Sequence, residues 1–257
     1  MTAEIPLLLR QEGARIPAVK RYRDKFENHV VLVTGGAQGI GAVTAASFSY
    51  QGAHLVLVDM NEAKLKETAA KLTADGAKVM YQVCNLTDEA AVHKTIENVI
   101  AALGKIDVLV HLAGIYPFKL ILDATSSDYQ RTMSVNMDST FHLVKAVLPH
   151  MNKAGYGRII TTTSGAALQP EAGLAVYAAA KSAVLLFTRA VAMEAGPGYD
   201  GESGLREMFS RAVARQAVKR YGLPTDVADM ICFVASPEAE FLTGQNFDVG
   251  GGFTHGA

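Results

Sequence analysis

An apolar run, Val30-Val31-Leu32-Val33, leads directly into Thr34-Gly35-Gly36-Ala37-Gln38-Gly39-Ile40-Gly41, and a mostly apolar helical stretch follows at once. Glycines at 35, 39 and 41 let a buried strand turn tightly, let its backbone approach a ligand, and let the next helix pack close. The alternation repeats downstream. Short β-branched runs at residues 29–34, 55–59, 78–83, 107–112 and 158–163 predict strands, and residues 40–50, 61–74, 88–103 and 127–153 predict helices between them. Apolar strands joined by crossover helices define a parallel sheet covered on both faces. The predicted architecture is therefore α/β: a single Rossmann-type domain with a doubly wound parallel sheet over residues 29–257, preceded by an N-terminal arm at 1–28.

Finer features follow from local chemistry. Ser127 with Gln130 three residues on predicts a capping box for the fourth helix, and Pro149 predicts a break at or shortly after it. Further helices are predicted at 177–194, 204–221 and 224–235, and a short last strand at 247–249. The arm carries Arg10, Arg15, Lys20, Arg21, Arg23 and Lys25 between apolar positions. It reads equally as packed on the domain or a neighbouring subunit, or as disordered.

Composition narrows the partners. A chain of 257 residues suits one sizeable α/β domain, and its net charge of -1, with dispersed basic residues, gives no footprint for nucleic acid. Cys84 and Cys232 lie far apart without ligand-spaced neighbours, so neither a disulfide framework nor a metal site is expected. No segment reads as the ~20 apolar residues that span a bilayer, and residues 5–9 are too short for a secretory core. No membrane association is expected, and cytoplasm is the default compartment.

At the glycine turn, phosphates would sit over the free N–H groups of the helix beginning near Ile40. A glycine cluster alone fits any strand-to-helix turn; its place between strand and apolar helix favours a dinucleotide. Asp59 stands 18 residues beyond Gly41, at the end of the second strand. A carboxylate there accepts hydrogen bonds from ribose hydroxyls and repels the extra phosphate of NADP, which favours NAD. The alternative reading is a cap for the next helix.

Tyr177 and Lys181 share one helix face. An ammonium near a phenol stabilises the phenolate, so Tyr177 becomes an acid toward a forming alkoxide and a base in the reverse direction. Ser164 follows the fifth strand at its carboxyl end, where open α/β sheets bind ligands, and its hydroxyl can hold the same oxygen. By itself Ser164 reads equally as a loop-capping hydroxyl, and the register leaves Thr161, Thr162 and Thr163 as competitors.

Together these motifs resemble those of the short-chain dehydrogenase/reductase family, of which the chain looks like a classical member. Thr34-Gly35-x-x-x-Gly39-x-Gly41 matches its cofactor turn, including Gln38 and Ile40, and Ser164 with Tyr177-x-x-x-Lys181 matches its catalytic signature. The resemblance runs on through Gly222-Leu223-Pro224 and Leu242-Thr243-Gly244-Gln245. It implies that Tyr177 and Lys181 also contact the cofactor. It further implies that Asn136 helps hold a water linking the lysine to solvent, and that the protein is a homotetramer or homodimer. Asn85 stands where family members place an adenine-side aspartate. The usual Asn-Asn-Ala-Gly run appears as His111-Leu112-Ala113-Gly114, keeping Ala113 and Gly114 beside the cofactor and leaving His111 as a neutral, hydrogen-bonded residue.

After Glu194 the family's sixth strand has no counterpart; Ala195-Gly196-Pro197-Gly198-Tyr199-Asp200-Gly201 follows instead, and so the sixth strand is expected to be missing or displaced. Either residues are omitted here, or residues 247–249 take the seat beside the fifth strand. Ile115, Tyr116, Pro117, Phe118, Leu168 and residues 199–208 would line the substrate mouth. They imply a small-molecule alcohol or ketone, mostly apolar or cyclic and secondary, oxidised or reduced with NAD(H). The departure after Glu194 would instead suit a non-catalytic nucleotide-binding or assembly subunit. An NAD-dependent epimerase or dehydratase is the third reading.

Overall fold

A computed structural model describes residues 25–195, 217–220 and 225. The chain divides into two compact units, Met1–Ala192 and Met193–Ala257, and the sheet lies in the first. Most of the N-terminal arm, the turn at 196–201, the strand expected at 247–249 and the motifs at 222–224 and 242–245 lie outside the described residues. Of the helix expected at 204–221, only 217–220 are described, and they form bends rather than helix. The N–H of Arg220 reaches back to Val218 O at 2.9 Å, a tight turn ahead of Gly222 and Pro224, which do not favour a continuing helix.

Among the described residues, five parallel strands form the sheet, in the order β3-β2-β1-β4-β5: β1 Val30–Thr34, β2 His54–Asp59, β3 Lys78–Val83, β4 Val108–His111 and β5 Arg158–Thr161. All five sequence runs are strands. β1 is central and buried throughout, and its alternate residues serve opposite layers. Val30 and Leu32 pack with Val92, Ile96 and Val99 of α3 (Glu89–Leu103) and with Leu143, Val147 and Met151 of α5 (Ser139–Ala154). Val31 and Val33 pack with Ala45 of α1 (Gly39–Tyr50) and with Leu65, Ala69 and Leu72 of α2 (Glu62–Ala74). The strand order reverses between β1 and β4, which puts the crevice of a doubly wound sheet at their carboxyl ends. At the opposite ends, buried Asp107 accepts from Val30 N at 2.7 Å and from Lys105 Nζ at 2.9 Å, fixing the register of β4 on β1.

The expected helix at 127–153 is three pieces. α4 (Ser126–Met133) is capped by Thr125, whose hydroxyl accepts from Asp128 N while the Asp128 carboxylate accepts from Thr125 N. The capping box is therefore Thr125/Asp128, not Ser127/Gln130, because an acidic side chain at the third helical position satisfies the cap N–H more strongly. A π-helical turn at Ser134–Asp138 then joins α4 to α5. Pro149 lies inside α5 and does not end it. The buried Val147 and Met151 on either side hold the helix to the sheet, and this packing outweighs one lost backbone bond. α6, Ala175–Glu194, is twenty residues and apolar enough in composition to cross a membrane, against the expectation that no segment comes near this. It lies against the sheet instead, through buried Ala178, Ala180, Lys181 and Val184 and a 2.8 Å hydrogen bond between Thr188 and Thr161 hydroxyls.

Leu109 is fully buried in β4, whereas Ile160 in β5 is 46% exposed. Leu109→Ala should cost about 3 kcal/mol in urea unfolding and Ile160→Ala under about 1 kcal/mol. Equal losses would contradict this placement of the core.

Candidate active site

The turn after β1 is built around close backbone approach. Gly35 adopts φ +67°, and a Cβ on it would lie 3.0 Å from Ala113 N. A Cβ on Gly41 would overlap Gly35 O, so the helix packs as tightly as the sequence requires. α1 starts at Gly39 with Gln38 extended, no side chain caps it, and no acidic residue lies in its first turn. Its leading N–H groups and partial positive charge are thus available to a phosphate. Ile40, 74% exposed, projects from the same turn.

Asp59 ends β2 and braces this turn, its oxygens accepting from Ala37 N at 3.2 Å and Asn61 N at 2.9 Å. Asn61, not Asp59, caps α2 through Lys64 N at 3.2 Å. Each carboxylate oxygen keeps a further lone pair for a hydroxyl donor. Gln38 accepts from the Lys64 ammonium. Asn85, exposed beyond β3, holds its own turn by accepting from Thr87 N and Oγ1. Its amide NH2 is left for a ligand.

Past β4, Thr34 Oγ1 accepts from Leu112 N at 3.1 Å and Ala113 N at 3.2 Å, and meets His111 Nδ1 at 2.7 Å. His111 Nε2 lies 3.1 Å from Ser139 Oγ. Burial, reinforced by the nearby Lys181 charge, pushes the His111 pKa down to about 3, so the ring is neutral. The sequence points to a hydrogen-bonded histidine here but does not reveal Thr34 and Ser139 as its partners. Their hydroxyls look like ordinary strand-end and helix residues until the fold joins positions far apart in the chain.

Asn136 sits within the π turn and is buried. Its Nδ2 donates to Ile115 O at 3.1 Å and Thr132 O at 2.9 Å, and its carbonyl accepts from Thr140 Oγ1 at 2.8 Å. Oδ1 is buried without a partner among the described residues. A Cβ on Gly114 would lie 2.8 Å from that oxygen and 3.7 Å from Lys181 Nζ, so both polar atoms border the space that a glycine leaves open. A bare cradle with an unpaired acceptor beside a cation is chemically suited to the nicotinamide end of a dinucleotide.

On α6, Lys181 Nζ donates to Thr162 O at 2.8 Å and lies 5.9 Å from the centre of the Tyr177 ring. Burial lowers its pKa. The Tyr116 ring meets Tyr177 edge-on at 4.8 Å. β5 ends at Thr161, so Thr162, Thr163 and Ser164 occupy the loop at the carboxyl end of the sheet. The threonine hydroxyls are spent on backbone carbonyls, Thr162 on His111 O and Thr163 on Lys181 O. Ser164 caps a short 3-10 turn, Gly165–Ala167, by accepting from Ala166 N at 3.2 Å, and its hydroxyl hydrogen is left to donate. Ser182 Oγ donates to Ala167 O at 3.0 Å and fastens this loop to α6. Among the described residues no hydrogen bond joins Ser164 to Tyr177.

The residues from 29 to 198 match the short chain dehydrogenase family, and residues 199–254 match the family described as enoyl-(acyl carrier protein) reductase. The short-chain reductase protein NovJ of Streptomyces niveus is 33% identical over 247 residues, covering 88% of this chain and 94% of its own. Among solved structures, NAD+-bound xylitol dehydrogenase superposes with a TM-score of 0.65 at 27% identity, over 86% of this chain and 96% of the other. A Shigella flexneri short chain dehydrogenase complexed with NADP gives 0.64 at 26% identity, over 67% of this chain and 74% of the other. The chain belongs to the short-chain dehydrogenase/reductase family. It is an oxidoreductase that uses a nicotinamide dinucleotide. Because 88% of 257 residues is about 226, the 247 positions aligned with NovJ include about 20 where this chain has no residue. The two family matches meet at residues 198 and 199, just beyond Glu194.

The buried neutral histidine carries a pH signature. Below 6.5 the unfolded chain takes up a proton at His111 that the folded chain refuses until about 3. The unfolded state then binds more protons, so stability is lost as the pH drops through this window, by up to about 1.4 kcal/mol per pH unit. In urea titrations His111→Asn should show a shallower acid loss than wild type; parallel losses would mean that residue 111 does not contribute.

Proposed function

We propose that the chain is an NAD(H)-dependent dehydrogenase that interconverts a mostly apolar or cyclic secondary alcohol and its ketone. The observation that carries this reading is the placement of Tyr177 beside buried Lys181 at the carboxyl end of the sheet, with the Ser164 hydroxyl on the adjoining loop. In the oxidative direction Ser164 donates a hydrogen bond to the substrate oxygen, and Tyr177 accepts its proton. Lys181 is held by Thr162 O with its ammonium 5.9 Å from the centre of the Tyr177 ring, and its remaining hydrogens would be available to the cofactor's ribose. The bound dinucleotide supplies a hydride acceptor. Asn136 and Gly114 shape the space beside Lys181 and exclude side chains from it.

The preference for NAD rests on Asp59. Its carboxylate ends β2 beside the turn, and among the described residues no cation pairs with it. A 2′-phosphate there would meet like charge. The apolar substrate reading rests on exposed Tyr116, Phe118, Leu120, Ile121, Leu122 and Leu168. Phe118 also anchors its loop: Lys119 N donates to Gly173 O at 2.8 Å, and a Cβ on Gly173 would strike the Phe118 ring.

Tyr177→Phe should lower kcat for a secondary alcohol by about a thousandfold or more while NADH affinity stays within about threefold. Turnover that survives this change would remove the proposed proton acceptor. If wild type binds NADH but no alcohol or ketone turns over, a non-catalytic nucleotide-binding subunit becomes the better reading. Asp59→Ser should move the NADH-to-NADPH affinity ratio toward NADPH by about tenfold, read by fluorescence titration; an unchanged ratio would refute the role of the carboxylate.

A further inference from the structure

We propose that His111 is a positioning residue for the dinucleotide site, held as the neutral tautomer with its proton on Nε2, and that it acts through the hydroxyl of Thr34. Ser139 Oγ donates its one hydrogen to Val135 O at 2.6 Å, so toward His111 Nε2 it can only accept. Nε2 therefore carries the ring proton. Thr34 Oγ1 accepts from the N–H groups of both Leu112 and Ala113, which fills its two lone pairs. Its remaining hydrogen points to His111 Nδ1, which must be bare to receive it. Every donor and acceptor in the cluster is then matched, as a buried polar network requires.

A second ring proton would set donor against donor at Thr34 and break one of its three bonds. The groups around the ring also oppose it. β1 offers Thr34, α5 offers Ser139, β5 and its loop offer the Thr162 hydroxyl on the His111 carbonyl, and α6 offers the Lys181 cation. No carboxylate hydrogen-bonds to the ring among the described residues. A neutral His111 thus adds no second positive charge beside Lys181.

The consequence lies at the walls of the cofactor site. Thr34 ties residues 112 and 113, which lead into Gly114, to the turn that begins at Gly35, where the two backbones are in contact. Without an acceptor at Nδ1, the Thr34 hydroxyl is free to rotate and surrender one of the two amides. The family's usual asparagine at position 111 places Oδ1 near where Nδ1 sits, which is the half of histidine that Thr34 needs. Glutamine reaches the Nε2 position instead.

The binding half of this inference rests on the dinucleotide reading; the tautomer does not. Ring nitrogen NMR on the full chain, with His111 assigned by comparison with His111→Asn, should show a bare Nδ1 and a protonated Nε2 that persist well below the ~6.5 of a free histidine. A protonated Nδ1, or a ring titrating near that value, would overturn the proposal. In NADH titrations His111→Gln and Thr34→Val should each weaken binding about tenfold, the double variant no more than either alone, and His111→Asn within about threefold of wild type. kcat at saturating NAD should change by less than about twofold in the same variants. Additive losses, or an asparagine as poor as glutamine, would refute action through Thr34. If wild type binds neither NADH nor NADPH, the functional reading fails along with the positioning role, while the ring spectrum still decides the tautomer separately.

Discussion

Gly35 and Ala113 are in backbone contact at the carboxyl ends of β1 and β4, and the site is organised around that approach. Two strands whose crossover helices lie on opposite faces leave a crevice between them, and a ligand can enter only as far as the loops allow. Here the loops draw together because position 35 has no side chain and because Thr34 spends both lone pairs on the neighbouring loop. The same economy of space recurs at Gly41 against Gly35, where the start of α1 is pressed onto the turn. The open amides of that helix and the bare edge at Gly114 are thereby held in one rigid frame, which suits a long, multiply charged ligand better than a flexible lip would.

Electrostatics at this end are as constrained as the packing. A buried lysine is costly unless its charge is satisfied, and Lys181 has one firm bond, to Thr162 O, with burial pulling its pKa down. A protonated histidine nearby would add repulsion in a place of low dielectric, and the hydrogen count around His111 prevents that. Asn136 shows the opposite imbalance, with an acceptor that has no partner among the described residues. Leaving it so costs about 1–3 kcal/mol. Both polar atoms border the gap at Gly114, so a ligand entering it can pair with both.

The parts of this arrangement that depend on backbone pattern were readable in the sequence. β1 to β5 each announce themselves as apolar, β-branched runs, and the glycine turn follows β1 without ambiguity. What escaped was decided by contacts between distant residues or by competition among near-equal local signals. Thr125 and Asp128 formed the cap that Ser127 and Gln130 also encode, because a charged acceptor wins over an amide. Pro149 survives inside α5 through the packing of Val147 and Met151, a tertiary fact. The composition of α6 alone resembles a membrane span, and only the lysine on its inner face and the threonine pair with β5 reveal what it packs against. The candidate catalytic residues were legible as types and spacings, whereas Ser164 needed the end of β5 to be placed before its hydroxyl could be told from those of Thr161, Thr162 and Thr163.

The π turn at Ser134–Asp138 links these observations. A continuous α-helix from 126 to 154 would complete its own hydrogen bonds and present residues to the sheet at a constant period. One widened turn breaks that period, and in this chain Asn136 sits within it, its NH2 holding Thr132 O and Ile115 O while its oxygen borders the Gly114 gap. Turns of this kind are uncommon and concentrate at functional sites. The segments at both of its ends are fixed, α4 by a complete capping box and α5 by the core, so the irregularity cannot relax by fraying. The irregular turn is therefore held in place between two fixed helices, with the Asn136 side chain turned to the gap at Gly114.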